Sequence, residues 1–459
     1  MAWLRSVLSE EEEEKLEPLF REVQGTVDLS GLVLTAWALG RALSVAIVKT
    51  LLAERAPGAH PWPRCPVCGT GLESKGFRPR EVLTLLGIIG WRRRVGRCPQ
   101  GCAIGQTVPF DEALGLSTGQ KTSAEVHAMG CALAVFVPFA AAARLLGLLT
   151  GVEVSPAGIW HWVQQAGTRA IQQLEGELQA LAQGHSPVAE RLEPDVARLS
   201  LVVGADGVMV PFRPHRGTPR GKTVWREVKV GILARLGWRM TRKRKKVALL
   251  LQRRLVAVRG NAAQFRVRLD LESLRQGVKT APQVVWISDG GRWLWGIFRR
   301  LYGGRAMIGI LDFYHAAQNL WKRVEPCFVG NTPSARAWFR MARRCLRRGQ
   351  SQAVLQDLLR AMDVEGLPKT ARHELMLLHN YLKRHQENID YARFKEMGLP
   401  LGSGMVESAC KWLIQQRFKG VGMRWSEEGF APLLHLRLAW VNSRFLELFP
   451  GAFSPSPNW

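Results

Sequence analysis

Between Leu199 and Phe212 the chain reads Leu-Ser-Leu-Val-Val-Gly-Ala-Asp-Gly-Val-Met-Val-Pro-Phe, an apolar run with one carboxylate, Asp206, at its middle. Such a run predicts a strand buried in a sheet, and a charge left unpaired within it would cost several kcal/mol. Asp206 therefore constrains the fold more than any other residue. A second apolar strand, Val284-Val-Trp-Ile-Ser, closes on Asp289-Gly-Gly, where the glycines let the chain turn and leave the carboxylate at the sheet's edge. A third, Met307-Ile-Gly-Ile-Leu, ends in Asp312. Trp225–Leu236 and Val247–Val258 read as further strands, with a helix near Ala262–Gln276. Antiparallel strands followed by strand-helix-strand units predict an α/β sheet.

A further acid, Glu407, sits in Gly402-Ser-Gly-Met-Val-Glu-Ser408, glycine-flanked at the start of a helix. The plainer alternative for any one of these carboxylates is a salt-bridge partner or a helix cap. Brought together, Asp206, Asp289 and Glu407 would repel one another unless divalent cations neutralised them. Hard ions such as Mg²⁺ or Mn²⁺ take oxygen ligands, and two of them together activate a nucleophile and stabilise the leaving oxygen of a phosphodiester.

Cysteine spacing predicts a different metal site. Cys65-Pro-Val-Cys68-Gly and Cys98-Pro-Gln-Gly-Cys102 are two tight knuckles, and two such pairs supply the four soft ligands of a closed structural Zn²⁺ site. Glu81–Leu86 and Arg92–Arg97 alternate as short strands between them, giving a zinc ribbon over 59–112. Residues 1–58 read as helical, with Ser9 as the expected N-cap. Residues 113–195 read as helical too. There Phe136–Leu149 and Ser155–Gly167 flank a Gly-containing turn, either a helix-turn-helix presenting Trp160, His161, Trp162, Gln164 and Gln165 to DNA or a plain helical hairpin with buried tryptophans.

Lys and Arg number 64 against 38 Asp and Glu, a net charge of +26 on 459 residues. That excess attracts polyanions, nucleic acid being the commonest. Three basic segments suit the DNA backbone: Arg242, Lys243, Arg244, Lys245 and Lys246 at an expected hairpin tip, Arg343–Arg348 in a helix, and Lys411, Arg417, Lys419 and Arg424 after Glu407, interleaved with Trp412, Phe418 and Trp425. Five glutamates, Glu10–Glu14, stand where a secretory signal needs a basic start. The most apolar stretch is expected at Cys131–Ala143, interrupted by Pro138 and too short for a membrane span, and so reads as a buried helix pair. The expectation is a cytoplasmic, nucleoid-associated protein without membrane contact, whose cysteines bind metal rather than form disulfides.

Taken in order, Asp206-Gly-Val-Met-Val, Trp225-Arg-Glu-Val-Lys-Val-Gly231, Ile287-Ser-Asp-Gly-Gly, Leu311-Asp-Phe-Tyr-His315 and Gly402-Ser-Gly-Met-Val-Glu-Ser408 resemble DDE transposases of bacterial insertion sequences, the ISKra-like group and relatives, over residues 60–445. The cysteine knuckles resemble that group's amino-terminal zinc motif. The resemblance implies an RNase-H-like catalytic core over 196–315 and 401–459, split by a helical insertion at 316–400 and preceded by the zinc ribbon and helical DNA-binding segments. It implies metal-dependent strand cleavage and transfer, with Asp206, Asp289 and Glu407 holding two Mg²⁺ or Mn²⁺ ions. Partners would be duplex DNA, at element ends and target, with the chain a homodimer or higher oligomer on it. Asp312 and His315 match an Asp-x-x-His phrase in related groups and would contact the scissile phosphate, a water or a flanking base; alternatively Asp312 caps the helix that follows. A structure-specific nuclease or resolvase, or a domesticated DNA-binding protein, would share many of these features.

Overall fold

A computed structural model of the chain describes residues 10–57, 63–104, 107–214, 222–244, 246–302, 307–328 and 332–453. The expected N-cap Ser9 and the basic residue Lys245 lie outside these, as does the side chain of Lys246. Two compact units result, one of Met1–Ala166 with Leu446–Trp459 and one of Gly167–Phe445.

In the first unit, α1 (Glu10–Gly25) and α2 (Leu29–Arg55) form a helical pair, α2 starting where the Asp28 side chain accepts a hydrogen bond from Gly31 N at 2.9 Å. Strands β1 (Glu73–Thr84) and β2 (Gly87–Arg97) make one long antiparallel hairpin where two short strands were expected. Val82, Ile89 and Trp91 bury one end of it against Ala56 and against Phe110 of α3 (Pro109–Ala113). Helices α4 (Ala124–Phe136) and α5 (Phe139–Thr150) follow, and α5 stops at Gly151, whose φ of +69° closes a left-handed cap. Pro156 then opens α6 (Pro156–Ala182), a helix far longer than the recognition helix expected there, which carries the chain into the second unit.

Helix α2 departs from expectation. It is long and apolar enough to cross a membrane by length and composition, 27 residues with a mean hydropathy of 1.8 over its most apolar window, and only Ala46 of it is fully buried. Cys131–Ala143 folds as the expected helix pair, within α4 and α5.

The second unit is built on one mixed sheet, β3 (Leu201–Phe212), β4 (Val224–Met240), β5 (Lys246–Val258), β6 (Val284–Ser288) and β7 (Met307–Leu311), in the order β5-β4-β3-β6-β7. The β5-β4-β3 pairs are antiparallel; β3, β6 and β7 run parallel. Helix α7 (Ala262–Arg275), opened by an Asn261–Gln264 capping box, supplies the crossover from β5 to β6, and α8 (Arg292–Tyr302) that from β6 to β7. Side chains alternate across the sheet. On one face Gly231 meets Phe265 and Leu269 of α7.

After β7 come α9 (Phe313–Val324), α10 (Thr332–Arg347), α11 (Ser351–Met362), α12 (Lys369–Arg384) and α13 (Tyr391–Glu396). Their buried residues, among them Leu320, Leu346, Leu358 and Leu378, share one continuous core with Val203, Trp286 and Ile310 of the sheet. The chain then returns through α14 (Gly404–Ala409), a π-helical turn at Cys410–Gln415, and α15 (Glu427–Val441).

Candidate active site and metal centres

Register sets the acids side by side. Parallel pairing matches Ala205 with Ser288 and Ser288 with Leu311, so Asp206, Asp289 and Asp312 are the next residues along three adjacent parallel strands. Neighbouring strands stand about 4.8 Å apart, and alternation turns all three side chains to one face. In an open α/β sheet that carboxyl edge is where ligands bind.

Glu407 reaches the same face on α14, and Gly204 is the reason it can. A Cβ at Gly204 would lie 2.5 Å from Val406 Cγ2 and 2.9 Å from Met405 Cε, so the helix rests directly on the β3 backbone, two residues before Asp206. The electrostatic consequence appears at Asp206. Burial raises its pKa above the ordinary carboxylate value, and the charges of Asp289 and Glu407 push it further up, while its backbone hydrogen bond and His315 oppose them. Asp289, Glu407 and His315 are thus each within electrostatic reach of Asp206.

One oxygen of each aspartate is occupied by local backbone: Asp206 Oδ1 accepts from Gly207 N at 2.7 Å, and Asp289 Oδ1 from Gly291 N at 2.9 Å. Those bonds fix the carboxylates and leave the second oxygen of each without a hydrogen bond among the described residues. Glu407 is half-exposed, with Lys411 Nζ 3.8 Å away. His315 Nδ1 is buried without a hydrogen-bond partner among the described residues, 3.8 Å from Asp312 Oδ2. Free carboxylate oxygens are the donors a hard divalent cation takes, so the chemistry of these side chains suits Mg²⁺ or Mn²⁺, but among the described residues only four cysteines stand close enough together to hold an ion as placed.

Asp312 differs from its neighbours. It is buried, and its side chain is the N-cap of α9, as the alternative reading of the sequence had it, accepting from Tyr314 N at 2.6 Å and His315 N at 2.9 Å. Its other oxygen accepts from both the backbone N and the hydroxyl of Ser403, at 2.5 Å each.

Several supporting residues gave no signal in the sequence. Tyr381 of α12 lies over Gly290, where a Cβ would fall 2.3 Å from its ring, and Trp295 Nε1 donates to the Asp289 carbonyl at 2.7 Å. Beyond Glu407, the π turn frees carbonyls that Arg437 takes up: its Nε donates to Leu413 O at 2.7 Å and its other nitrogen to Trp412 O. Burial lowers the Arg437 pKa to about 10. Such turns cluster at functional sites.

The basic residues sort by exposure. Arg242, Lys243 and Arg244 occupy the exposed tip between β4 and β5. Lys411, Lys419 and Arg424 are exposed, and so are Arg343, Arg344, Arg347 and Arg348. Arg417 is a correction: expected at the DNA backbone, it is 2% exposed, its guanidinium 5.3 Å over the Trp425 ring. Phe418 and Trp425 are likewise core, packed edge to face with centroids 5.0 Å apart, and of the three aromatics only Trp412 is exposed. In the helical hairpin, Trp160, His161 and Gln165 face solvent, whereas Trp162 packs onto Gly130 and His127.

The cysteines converge as the knuckles predict. The Sγ atoms of Cys65, Cys68, Cys98 and Cys102 all lie within 4.8 Å of one another. Each knuckle turns on a glycine of positive φ, Gly69 at +71° and Gly101 at +72°. Hydrogen bonds with Thr70 pull the Cys68 thiol down to about 6, and those with Cys68 and Cys98 push Cys102 up to about 12. Four soft donors crowded so closely fit a tetrahedral Zn²⁺. Behind the hairpin, buried Asp111 binds Arg80 at 2.9 Å and Arg93 at 3.2 Å.

No family model and no curated protein matches the chain. Among solved structures, the Drosophila P element transposase strand transfer complex aligns with a TM-score of 0.33 and 11% identity, over 73% of this chain and 96% of that one. At that level of likeness nothing about this chain follows from the match.

Proposed function

We propose that the protein is a DDE transposase that cuts and rejoins DNA at an RNase-H-like core, with Asp206, Asp289 and Glu407 as the metal-binding acids. The observation that carries this reading is the meeting of those three carboxylates and His315 at one sheet edge of a chain with a net charge of +26. A cluster of carboxylates is a site that a polyanion would otherwise avoid. The sequence phrases shared with insertion-sequence transposases support the same assignment.

Two Mg²⁺ or Mn²⁺ ions, when bound, would activate the nucleophile and stabilise the leaving oxygen. The chain's own part is positional. Asp206 and Asp289 are held rigid by Gly207 and Gly291, and Glu407 arrives on a separate helix, free to swing from Lys411 toward the acids. His315, partly exposed with its buried Nδ1 on the Asp312 side, would meet a phosphate oxygen through its other ring nitrogen. In the first step water attacks phosphorus and the bond to the 3′ oxygen breaks, leaving a 3′-hydroxyl. In the second that hydroxyl attacks a target phosphate, displacing the target's own 3′ oxygen. Duplex DNA, assembly of two or more copies on it, and a cytoplasmic, nucleoid-associated location belong to this proposal.

The test uses labelled fragments of the DNA flanking the gene, Mg²⁺ or Mn²⁺, and an unlabelled plasmid. Covalent joining of label to plasmid is expected, and Asp206→Ala, Asp289→Ala or Glu407→Ala should each abolish it with DNA binding nearly intact. Cleaved ends without joining would indicate a nuclease instead. Cleavage by Asp289→Ala within tenfold of wild type would sink the metal-site assignment.

A further inference from the structure

The buried carboxylate of Asp312 makes four hydrogen bonds, two at each end of the helical segment that interrupts the core. Oδ1 caps α9 through Tyr314 N and His315 N; Oδ2 receives Ser403 N and Ser403 Oγ from 91 residues further along. Ser403 is the N-cap of α14, yet its hydroxyl makes no capping bond to that helix, being committed to Asp312 instead. The contact is reinforced on both sides. Phe313 N donates to Leu401 O at 2.8 Å, and the Tyr314 ring lies on Gly402, where a Cβ would come within 2.8 Å of it. A carboxylate with this many donors has no oxygen to spare for a cation without releasing Ser403, although register sets it beside Asp289.

We propose that Asp312 is a positioning residue: by clasping Ser403 it closes the two ends of the helical insertion on each other and sets where Glu407, four residues on, stands relative to Asp206 and Asp289. This rests on the reading of those three acids as a metal site. Asp312 itself then touches neither cation nor DNA, and the insertion helices are coupled to the geometry of the last acid.

Mn²⁺ binding by the full-length, zinc-loaded chain, followed by the electron paramagnetic resonance signal of free Mn²⁺, tests this without a DNA substrate. Asp312→Asn and Ser403→Ala should each weaken Mn²⁺ affinity, by about 10-fold or more for the first, as loss of a group that orients a ligand does. The double variant should bind no worse than Asp312→Asn alone, because both changes break one contact. Ser403→Thr, which keeps the hydroxyl, should bind as wild type. If Ser403→Ala binds normally while Asp312→Asn fails as completely as Asp206→Asn, Asp312 is a ligand and the proposal is overturned. Additive losses overturn it too. Equal Mn²⁺ binding by wild type and Asp206→Asn is a different failure, that of the acid site itself.

Discussion

At Gly204 a hydrogen atom stands where every other residue would put a carbon, and the spacing between two acids depends on it. Gly204→Val would drive two methyl groups into Val406 and Met405, at a cost of about 1–3 kcal/mol if the helix gives way. The larger effect should be on chemistry, since an ångström of displacement at a reacting centre costs roughly 100-fold. We expect DNA cleavage to fall by that order while thermal denaturation changes modestly; an unimpaired rate would show that α14 does not set the Glu407 position. Asp206 makes a second residue-scale prediction. Its pKa is raised on folding, by burial first and then by Asp289, so the folded state holds its proton to higher pH than the unfolded state. Stability from this group is therefore lost as pH rises from the ordinary aspartate value through the raised one. In chelator, Asp206→Asn should melt higher than wild type at neutral pH, with the gap closing as the pH falls below the unfolded value. A gap that persists in acid would contradict the assigned cause. These residues differ in what the sequence discloses. Asp206 and Asp289 are conspicuous because each is a charge in or beside an apolar run. Gly204 and Ser403 are not, because their roles depend on what packs against them from some 90 to 200 positions away.

Among the elements, strands β3, β6 and β7 were legible because apolar alternation and length leave little choice over five to twelve residues. Helix α6 and the π turn were not: no local signal says how far a helix continues, or that Arg437, more than twenty positions away, will take up the carbonyls a π turn releases. The burial of Arg417 was hidden for the same reason, since a cation in a basic run reads as solvated until an aromatic face is found above it. The β1-β2 hairpin has two fastenings, and each can be cut. Cys65→Ser should lose zinc and speed amide exchange across 63–104 while β3, β6 and β7 remain protected; a full zinc content in that variant would refute the four-thiolate site. Asp111→Ala leaves Arg80 and Arg93 buried without their counter-charge, which should destabilise the first unit by about 3–5 kcal/mol. Denaturant melts followed by the fluorescence of Trp91 would measure it, and a loss near zero would mean that the guanidiniums find water instead.

For the molecule as a whole, the excess of 26 positive charges would set the terms of the proposed encounter with DNA. Binding to arbitrary duplex should weaken steeply with salt, each neutralised phosphate contributing roughly −0.9 to the log–log slope. Charge reversal at the β4–β5 tip, Arg242→Glu with Arg244→Glu, should flatten that slope by about 2 on the same scale, whereas Arg417→Met, a change inside the core, should leave it unaltered. An unchanged slope in the tip variant would remove that hairpin from the interface. The sequence made the charge plain, but exposure decides which of it DNA can meet. The bond between Asp312 and Ser403 also has a consequence in time. A ribosome releases Asp206 and Asp289 first and must then make all of α9–α13 before Ser403 and Glu407 emerge, an interval on the order of ten seconds at ordinary elongation rates. Throughout it the nascent polypeptide lacks Glu407, so if the three acids cut DNA as proposed, a chain abandoned inside the helical insertion is born harmless to the genome that encodes it.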